Sequence, residues 1–524
     1  MKIIVIGLDG ACFELIDPWI EQGELPNLRK IRDEGTWGDM NSCLPPTTSP
    51  NWKCYSTGKN PGKLGICWWE NIDFKGKKIY FPRNRIHKNK EMWDYLGEAG
   101  KRVCVVNMPL TYPPRPVNGI LICGSADAGD HGFTYPADLE RYLEENYDYR
   151  VHPPILGPLS ASPDDVERTE QQVSQIIKII ESRFRVAKDF WEQRDVDFLH
   201  VTTFYINQLQ HSFWNAEYTK KAWQVIDQNI GELVGREHNI IIMSDHGCNE
   251  VKEAFNINTW LQTEGYLKLN RTISDLLYRI GLNRQRAVKI ARALHLENVL
   301  PRVIPRQISG FLPDRNGAVG GSALMAGSAK TQKVNWDKTV SLASGQGPIY
   351  IAPNLRQQLE EYKSLRDELI EKLQGLKSGL SGEAPISKVF RKEDIYQGEY
   401  LPEMPDLVAD QAKGFTICGD IGRKEAFELP RGWRGENKKA GLFMAYGPDI
   451  KNGQTIEAIS ILDLAPTILH MMGLPIPQDM DGKVLTEIFK PDSEPAKRKV
   501  TYQQIDKTEM EKMRVRRKTR HLKV

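Results

Sequence analysis

The chain has 524 residues, of which 40% are hydrophobic and 27% charged, and its formal net charge is +3 at pH 7. This length allows a large core, and the near-neutral charge argues against a dedicated nucleic-acid-binding protein. No apolar run is long enough to span a bilayer, and the amino terminus lacks a signal-peptide pattern. The eight cysteines are scattered without a CxxC pair, so we expect reduced thiols and a cytoplasmic location.

The first half of the chain alternates short apolar runs with helical patterns. The predicted strands are 3–6, 101–107, 120–123, 198–204 and 239–243, and the predicted helices are 13–22, 25–34, 163–193 and 221–234. Such alternation predicts an α/β protein, built as a three-layer α/β/α sandwich with a mainly parallel central sheet.

A basic segment, residues 268–316, interrupts this rhythm and has the pattern of short helices. We interpret it as an inserted helical cap, either a solvated face or a surface that steers anions. Strand signals resume at 348–351, 407–409 and 441–446, followed by a helix at 462–472. The predicted organisation is a core of residues 1–267 and 317–490, the cap, and a basic carboxyl-terminal tail at 491–524.

An acid and an imidazole, Asp245 and His246, follow the apolar run 239–243. Burying an acid and an imidazole at the end of a central strand is costly unless something pairs with them, and a divalent metal is the natural partner. Asp9 follows the strand at 3–6 in the same way. Ligands bind at this end of strands in open α/β sheets, although an Asp before a Gly is also a common turn former.

The segment 45–52, with sequence PPTTSPNW, is the second informative stretch. Thr48 or Ser49 can cap a helix whose first turn contains Pro50. The simple interpretation is a helix cap. The functional interpretation places a nucleophilic hydroxyl at a positive helix terminus, where a phosphate is stabilised and a metal would lower the hydroxyl pKa.

Asn207 and His211 form the third candidate group, directly after the predicted strand 198–204. They are four residues apart and therefore share a helix face. A lone histidine is more often structural than functional, but this one again follows a strand.

Taken in the order in which they occur along the chain, these motifs resemble those of the alkaline phosphatase superfamily. They most closely resemble those of its type I phosphodiesterase/nucleotide pyrophosphatase branch. The resemblance extends to about Phe489 and implies an alkaline-phosphatase-like fold. The segments that carry it are 4–10, 48–52, 56–58, 61–62, 244–247, 445–448, 463–467 and 479–482.

The resemblance implies a two-metal site, commonly with zinc, that clamps a phosphoryl group. One metal would take Asp9, Thr48, Asp245 and His246, which are all present. Thr48 would attack in line to give a covalent phosphothreonine, which a second acceptor, usually water, then releases.

The second metal of such enzymes takes an Asp and two His. This chain has Asn207, His211 and Asn437 at those positions. Neutral amides bind zinc weakly, so we expect one zinc, with manganese as the alternative, and a second metal that is weak or absent. Hydrolysis of the phosphoenzyme should then slow, and other acceptors should compete.

The sequence therefore predicts a metal-dependent phosphoester hydrolase or phosphoryl/phosphodiester transferase acting on a small phosphorylated substrate. The alternative is a non-catalytic binding protein derived from the superfamily, which the changes at 207 and 437 would permit. Asn71 and His131 are candidate substrate-binding residues. Nucleic-acid binding has only the basic run 512–523 in its favour, and neither the substrate nor the oligomeric state follows from the sequence.

Overall fold

The computed structural model describes residues 1–154, 166–235, 237–281, 327–430 and 432–504, together with 283, 286, 287, 289, 290 and 312. Most of the predicted cap and residues 505–524 of the predicted tail lie outside the described residues. Within the described part of the chain, no helix combines the length and apolarity that a bilayer span requires.

A ten-stranded sheet forms the centre of the molecule, with the strand order β9–β2–β8–β7–β1–β6–β3–β4–β5 and β10 paired to β2. Its strands are β1 (Ile3–Leu8), β2 (Thr36–Asn41), β3 (Val103–Met108), β4 (Gly119–Cys123), β5 (Thr134–Tyr135), β6 (Phe198–Thr203), β7 (Asn239–Met243), β8 (Ala440–Tyr446), β9 (Gln454–Thr455) and β10 (Ile459–Ser460).

The central strands run parallel, as predicted. Strand β1 pairs in parallel with β6 and β7, and β3 pairs in parallel with β6 and β4. Strand β8 is an exception, because it runs antiparallel to both β7 and β2. The prediction of a mixed α/β fold with a mainly parallel central sheet is confirmed.

Apolar layers cover both faces of this sheet. Alternate side chains of β1 enter opposite layers, with Ile4 and Ile6 in one and Ile3 and Val5 in the other, as the period of a strand requires. The first layer is built on helices Phe13–Glu21, Pro26–Glu34, Val166–Gln193 and Glu217–Leu233, and the second on Thr48–Thr57, Met92–Glu98 and Leu464–Met471.

The strands predicted at 348–351 and 407–409 exist but lie outside the central sheet. They belong to a four-stranded antiparallel sheet of Ser341–Ala343, Pro348–Ile351, Leu407–Gln411 and Ile386–Arg391, near the helix Leu359–Gln374. A further sheet joins the long strand Gly247–Asn256 to Gly414–Cys418, Phe427–Glu428 and Gly435–Lys438. Because Gly247–Asn256 follows β7 almost directly, it links this second part of the molecule to the carboxyl edge of the central sheet.

Shorter elements complete the described chain. The helices are Pro61–Leu64, Leu139–Tyr147, Tyr205–Phe213, Ile257–Thr263, Ile273–Arg279, Gly327–Lys333, Pro353–Arg356, Lys392–Ile395 and Glu494–Lys497, with 3-10 turns at Arg83–Arg85, Leu401–Glu403, Ile461–Asp463 and Thr486–Ile488. Strands Asn71–Asp73 and Lys78–Tyr80 pair with each other, as do Ile476–Pro477 and Tyr502–Gln503. The start of the predicted tail is therefore paired with the preceding chain.

Candidate active site

Three neighbouring parallel strands deliver the candidate residues to one edge of the central sheet. The order β7–β1–β6 places the carboxyl ends of these strands side by side. Asp9 follows β1, the pair Asp245 and His246 follows β7, and the helix Tyr205–Phe213 follows β6. This is the edge at which open α/β sheets bind ligands.

The Thr48 hydroxyl lies against this edge. Its Oγ1 is 3.4 Å from each carboxylate oxygen of Asp9 and 3.3 Å from His246 Nε2. His246 Nε2 is also 3.6 Å from Asp9 Oδ1 and 3.3 Å from Asp245 Oδ2. The structure thus brings together the four residues that the family resemblance implied for the first metal.

Surrounding donors and acceptors fix the orientation of these groups. The Gly10 amide donates to Asp245 Oδ1 at 3.2 Å, and the Trp52 indole donates to Asp9 Oδ2 at 3.0 Å. His246 Nδ1 lies 2.8 Å from the Gly247 carbonyl. Since a carbonyl only accepts, His246 carries its proton on Nδ1, and its Nε2 lone pair faces the cluster.

The electrostatics of the cluster favour a cation. Burial raises the pKa of Asp9 to about 7 against the opposing hydrogen bonds, and burial and then the charge of Asp9 raise the pKa of Asp245 well above its ordinary value. Burial lowers the pKa of His246 to about 3, so its imidazole is neutral. Two buried carboxylates beside a neutral imidazole are costly without a positive partner.

The donor set fits a divalent metal. One ligand atom from each of Asp9, Asp245 and His246 lies within 4.8 Å of the others. Asp245 Oδ2 is buried and has no hydrogen-bond partner among the described residues. Carboxylate oxygens with an imidazole nitrogen are ligands that suit zinc and, with more oxygen donors, manganese.

The helix that carries Thr48 starts irregularly. It spans Thr48–Thr57, but Ser49 has non-helical angles (φ −103°, ψ 111°), so regular helix begins at Pro50. The Thr48 hydroxyl is engaged with Asp9 and His246 and not with a helix amide. These contacts favour the interpretation of Thr48 as a site residue over that of a simple helix cap.

Asn207 also lies beside Asp9, and its side chain lowers the pKa of the Asp9 carboxylate. The Asn207 Oδ1 accepts from Gln210 Nε2 at 3.3 Å. The same Gln210 Nε2 donates to the Gly10 carbonyl at 3.0 Å. A Cβ at Gly10, whose φ is +71°, would lie 2.3 Å from Asn207 Oδ1, so this close approach requires glycine.

His211 and Asn437 stand near this region with different partners. His211 Nδ1 donates to the Gly435 carbonyl at 2.7 Å, and its ring stacks on Trp433 with centroids 4.0 Å apart. Burial lowers the pKa of His211. Asn437 is buried opposite Cys248, and its Oδ1 has no partner among the described residues.

The two candidate substrate residues lie in different settings. Asn71 is buried; its Nδ2 donates to the Gly65 carbonyl at 3.2 Å, and its Oδ1 has no partner in the described part of the chain. The His131 side chain is 86% exposed and sits 3.2 Å from Glu140 on the Leu139–Tyr147 helix. The contacts of His131 thus place it with this surface helix and not with the Thr48 cluster.

Two motifs of the resemblance have structural roles in the described chain. Asp463 accepts from the backbone amides of Ser460 and Lys483. Asp481 accepts from Asn60 and Lys63, just beyond the helix that carries Thr48. The Asp481 carboxylate thus fixes the chain just after the carboxyl end of that helix. Neither carboxylate contacts Asp9, Thr48, Asp245 or His246 in the bonds described.

Sequence reasoning missed several residues that surround Asn207, His211 and Asn437, among them Gln210, Gln346, Trp433 and Glu436. Trp433 carried a signal, because an aromatic residue between Gly432 and Gly435 in a polar loop is unusual. The amides and Glu436 carried none, since their contacts join segments far apart in the sequence.

The fold brings a buried carboxylate–imidazole–threonine cluster to the carboxyl edge of its sheet, and this set of side chains suits phosphoester chemistry. The chain belongs to the type I phosphodiesterase / nucleotide pyrophosphatase family, whose model matches residues 3–439. The resemblance seen in the sequence is confirmed, and the chain is a phosphodiesterase-like hydrolase. The family is metal-dependent and acts on small phosphorylated substrates such as nucleotides.

Human ectonucleotide pyrophosphatase / phosphodiesterase 5 is among the similar solved structures. It is 12% identical, with a TM-score of 0.48, and the alignment covers 94% of this chain and 100% of that one. No curated protein sequence matches the chain.

Proposed function

We propose that the protein cleaves phosphodiesters through a covalent phosphothreonine on Thr48, beside a single metal ion. The observation that carries the proposal is the position of Thr48 Oγ1, 3.4 Å from both Asp9 oxygens and 3.3 Å from His246 Nε2. A hydroxyl at a helix start beside metal-binding side chains is arranged for attack on phosphorus.

Asp9, Asp245 and His246 would hold the metal, with Thr48 beside it. A bound divalent ion would lower the pKa of the Thr48 hydroxyl and offset the charge of the phosphoryl group. The Asp9 carboxylate orients the hydroxyl by accepting its hydrogen bond. Trp52 and Gly10 hold the two carboxylates in place, as outer partners of metal ligands do.

In the first step, Thr48 Oγ1 forms a bond to phosphorus as the bond to the leaving oxygen breaks; the hydroxyl proton passes through solvent to the leaving oxygen, which departs as an alcohol. In the second step, the oxygen of an acceptor hydroxyl forms a bond to phosphorus as the bond between phosphorus and Thr48 Oγ1 breaks, and the acceptor's proton restores the Thr48 hydroxyl. With water the outcome is hydrolysis, and with an alcohol it is transfer.

We infer a one-metal enzyme because the second set, Asn207, His211 and Asn437, is poor in zinc ligands. The surroundings of Asn207 support this view, since its side chain lowers the pKa of Asp9 and its Oδ1 already accepts from Gln210 Nε2. The phosphothreonine should therefore be released slowly, and added alcohols should compete with water for it.

The test compares Thr48→Ala with Thr48→Ser on bis(p-nitrophenyl) phosphate, with zinc or manganese added. We expect Thr48→Ala to lose about 10³-fold or more in kcat, while Thr48→Ser keeps measurable turnover. Mass spectrometry of acid-quenched native enzyme should show a phosphorylated Thr48 peptide. Full activity of Thr48→Ala would refute the nucleophile, and two tightly bound zinc ions per chain would refute the one-metal site.

Asn71 remains a proposed substrate contact, because its buried Oδ1 is unpaired among the described residues. We also propose a reducing, cytoplasmic compartment. The support is chemical: all eight cysteines are free thiols in the structure.

A further inference from the structure

A short helix in the predicted cap turns its polar side toward the molecule. The helix spans Ile273–Arg279 and begins with a capping box between Thr272 and Asp275. Ser274 is buried, and Asp275 Oδ1 accepts from Lys333 Nζ at 3.0 Å. The helix is therefore anchored through polar side chains, which is the reverse of the usual arrangement of a surface helix.

The opposite side of this helix carries exposed aliphatic side chains. Residues three, four and seven apart share one face of a helix. On this face, Ile273, Leu276 and the C-cap residue Ile280 are 62%, 60% and 69% exposed. We call these three residues the cap patch. Neighbouring apolar side chains that face solvent together mark a surface for a protein or membrane partner.

Positive charges border the cap patch. Arg271 precedes the helix and Arg279 ends it, and both are exposed. Arg286 Nη1 donates to the Gly281 carbonyl at 2.9 Å, which places a third guanidinium directly after the helix. The stretch 271–290 contains five basic residues and a single acid, which is the capping-box carboxylate already paired with a lysine. Aliphatic side chains and a net positive charge thus occur together.

We propose that the cap patch is a docking surface for an anionic lipid bilayer. Aliphatic side chains on such a surface enter the boundary between headgroups and acyl chains, while arginine guanidinium groups stay at the level of the lipid phosphates. Each cation close to an anionic bilayer strengthens binding by about fivefold. The inference goes beyond the proposed function, because it concerns where the enzyme is held and not which bond it cleaves.

Charge favours a bilayer over other occupants of the cap patch. In a twofold contact between two copies of the chain, the same patch would face itself, so the arginines of both copies would meet. A nucleic acid would pair with the cations but leave the aliphatic side chains without a partner, because it is bound through phosphates and by stacking on aromatic rings. A bilayer with acidic headgroups matches both the charge and the aliphatic side chains.

The test measures co-sedimentation of the full-length protein with lipid vesicles. One set is phosphatidylcholine alone, and the other contains about 30% phosphatidylglycerol to supply negative charge. We expect binding to the anionic vesicles to be tighter by about tenfold or more, and to weaken as salt is added.

Two double variants separate the aliphatic and the charged contributions. Leu276→Ser combined with Ile280→Ser should weaken binding to the anionic vesicles by about tenfold, because it removes the side chains that enter the bilayer. Arg279→Gln combined with Arg286→Gln should also weaken it by about tenfold and remove much of the preference over neutral vesicles.

Matched controls remove the same kinds of side chain elsewhere. Leu359→Ser combined with Leu380→Ser removes two leucines that are 59% and 58% exposed, and binding should stay nearly unchanged. Arg141→Gln combined with Arg150→Gln removes two exposed cations near the Leu139–Tyr147 helix, with the same expectation. All of these side chains are exposed, so every variant should keep the native melting temperature and the native turnover of bis(p-nitrophenyl) phosphate.

Several results would overturn the inference. The native protein would fail to bind anionic vesicles, or it would bind neutral vesicles equally well. Binding that survives both double variants of the cap patch would assign it to the basic run 512–523. Dimerisation without lipid that Leu276→Ser with Ile280→Ser abolishes would assign the patch to a second copy of the chain. Absence of turnover would contradict only the proposed function, because vesicle binding is measured without substrate.

Discussion

Asn207 lies beside the carboxylate of Asp9 and lowers its pKa, and Gln210 Nε2 donates to the Asn207 Oδ1 at 3.3 Å. A position where the resemblance implies a metal ligand thus supplies a neutral amide beside the neighbouring ligand. The amide offsets part of the cost of burying Asp9.

The first prediction concerns Asn207→Asp. Without metal, this change should lower the free energy of unfolding by about 1–3 kcal/mol, because it replaces a neutral amide by a third buried carboxylate. Zinc should restore the loss, and combination with Asn437→His should raise the zinc content toward two per chain. Chemical denaturation with and without zinc checks the stability, and elemental analysis checks the content.

The control for this prediction is Asn229→Asp. Asn229 lies on the Glu217–Leu233 helix, where its side chain donates to the Val225 carbonyl at 2.7 Å. Its substitution should cause a loss that zinc does not restore. If zinc fails to stabilise Asn207→Asp more than the native protein, the geometry assigned to the second site is wrong.

The second prediction concerns the indole that holds Asp9. Trp52→Phe preserves most of the packing but removes the donor to Asp9 Oδ2. We expect zinc affinity to fall by about 10–100-fold, the usual effect of removing an outer partner of a metal ligand. A competition titration with a chelating dye measures the change.

Trp93→Phe is the matched control, because Trp93 is equally buried and its Nε1 has no partner among the described residues. Removing an unpaired donor should leave zinc affinity unchanged and cost little stability. Equal losses of zinc affinity in both variants would show that packing, and not the hydrogen bond to Asp9, supports the site.

The sequence located candidate site residues where a side chain that can bind a metal comes directly after a predicted strand. Asp9, Asp245 and His246 each come directly after an apolar strand, and parallel pairing of β1 and β7 brings them together. The pattern of β-branched residues therefore predicted the strands, and the family resemblance implied that the side chains at their ends share one metal. Thr48 was harder to place, because only its contacts in the fold favour a site residue over a helix cap.

Long-range polar contacts were beyond such reasoning. Glu436 gathers donors from segments as distant as Gln346, and nothing in the local sequence marks it. The strands at 348–351 and 407–409 had the apolar pattern of core strands, yet they pair in a separate sheet, because strand pattern specifies burial and not partner. His131 followed a strand like the site residues, but β4 and β5 lie at the edge of the sheet.

The third prediction is a pH-dependent gain of stability in Asp127→Asn. Burial raises the pKa of Asp127 from 3.8 to about 6, and its Oδ2 has no partner among the described residues. The folded state therefore binds its proton more tightly than the unfolded state. Native stability should fall as the pH rises from about 4 to about 6, with a total effect of up to about 3 kcal/mol.

The asparagine variant avoids this loss, since its amide oxygen can still accept from the Leu110 amide, as Asp127 Oδ1 does at 2.9 Å. Asp127→Asn should be more stable than the native protein by about 1–3 kcal/mol above pH 7, and the gain should vanish below about pH 4. Urea denaturation across this pH range measures it. A gain that does not vary with pH would contradict the titration of Asp127.

The fourth prediction concerns the buried ion pair behind the nucleophile helix. Lys53 Nζ donates to Glu91 Oε1 at 2.7 Å, and both side chains are almost fully buried. Glu91→Gln should destabilise the protein by about 3 kcal/mol, because it leaves the Lys53 charge without a counter-charge. Glu232→Gln, which breaks an exposed pair with Lys188, should change the free energy of unfolding much less.

The dependence of the free energy of unfolding on pH, below pH 7, tests the same ion pair. Burial favours protonated Glu91, but the charges of Lys53 and Arg115 outweigh burial and hold the pKa of Glu91 below its ordinary value. Its contribution is therefore complete above the unfolded-state pKa, about 4.3, and is lost as the pH falls through the folded pKa. Denaturation from pH 7 to pH 3 should show the difference between native and Glu91→Gln proteins shrinking toward acid. A difference that persists at pH 3 would mean that the variant loses packing and not charge.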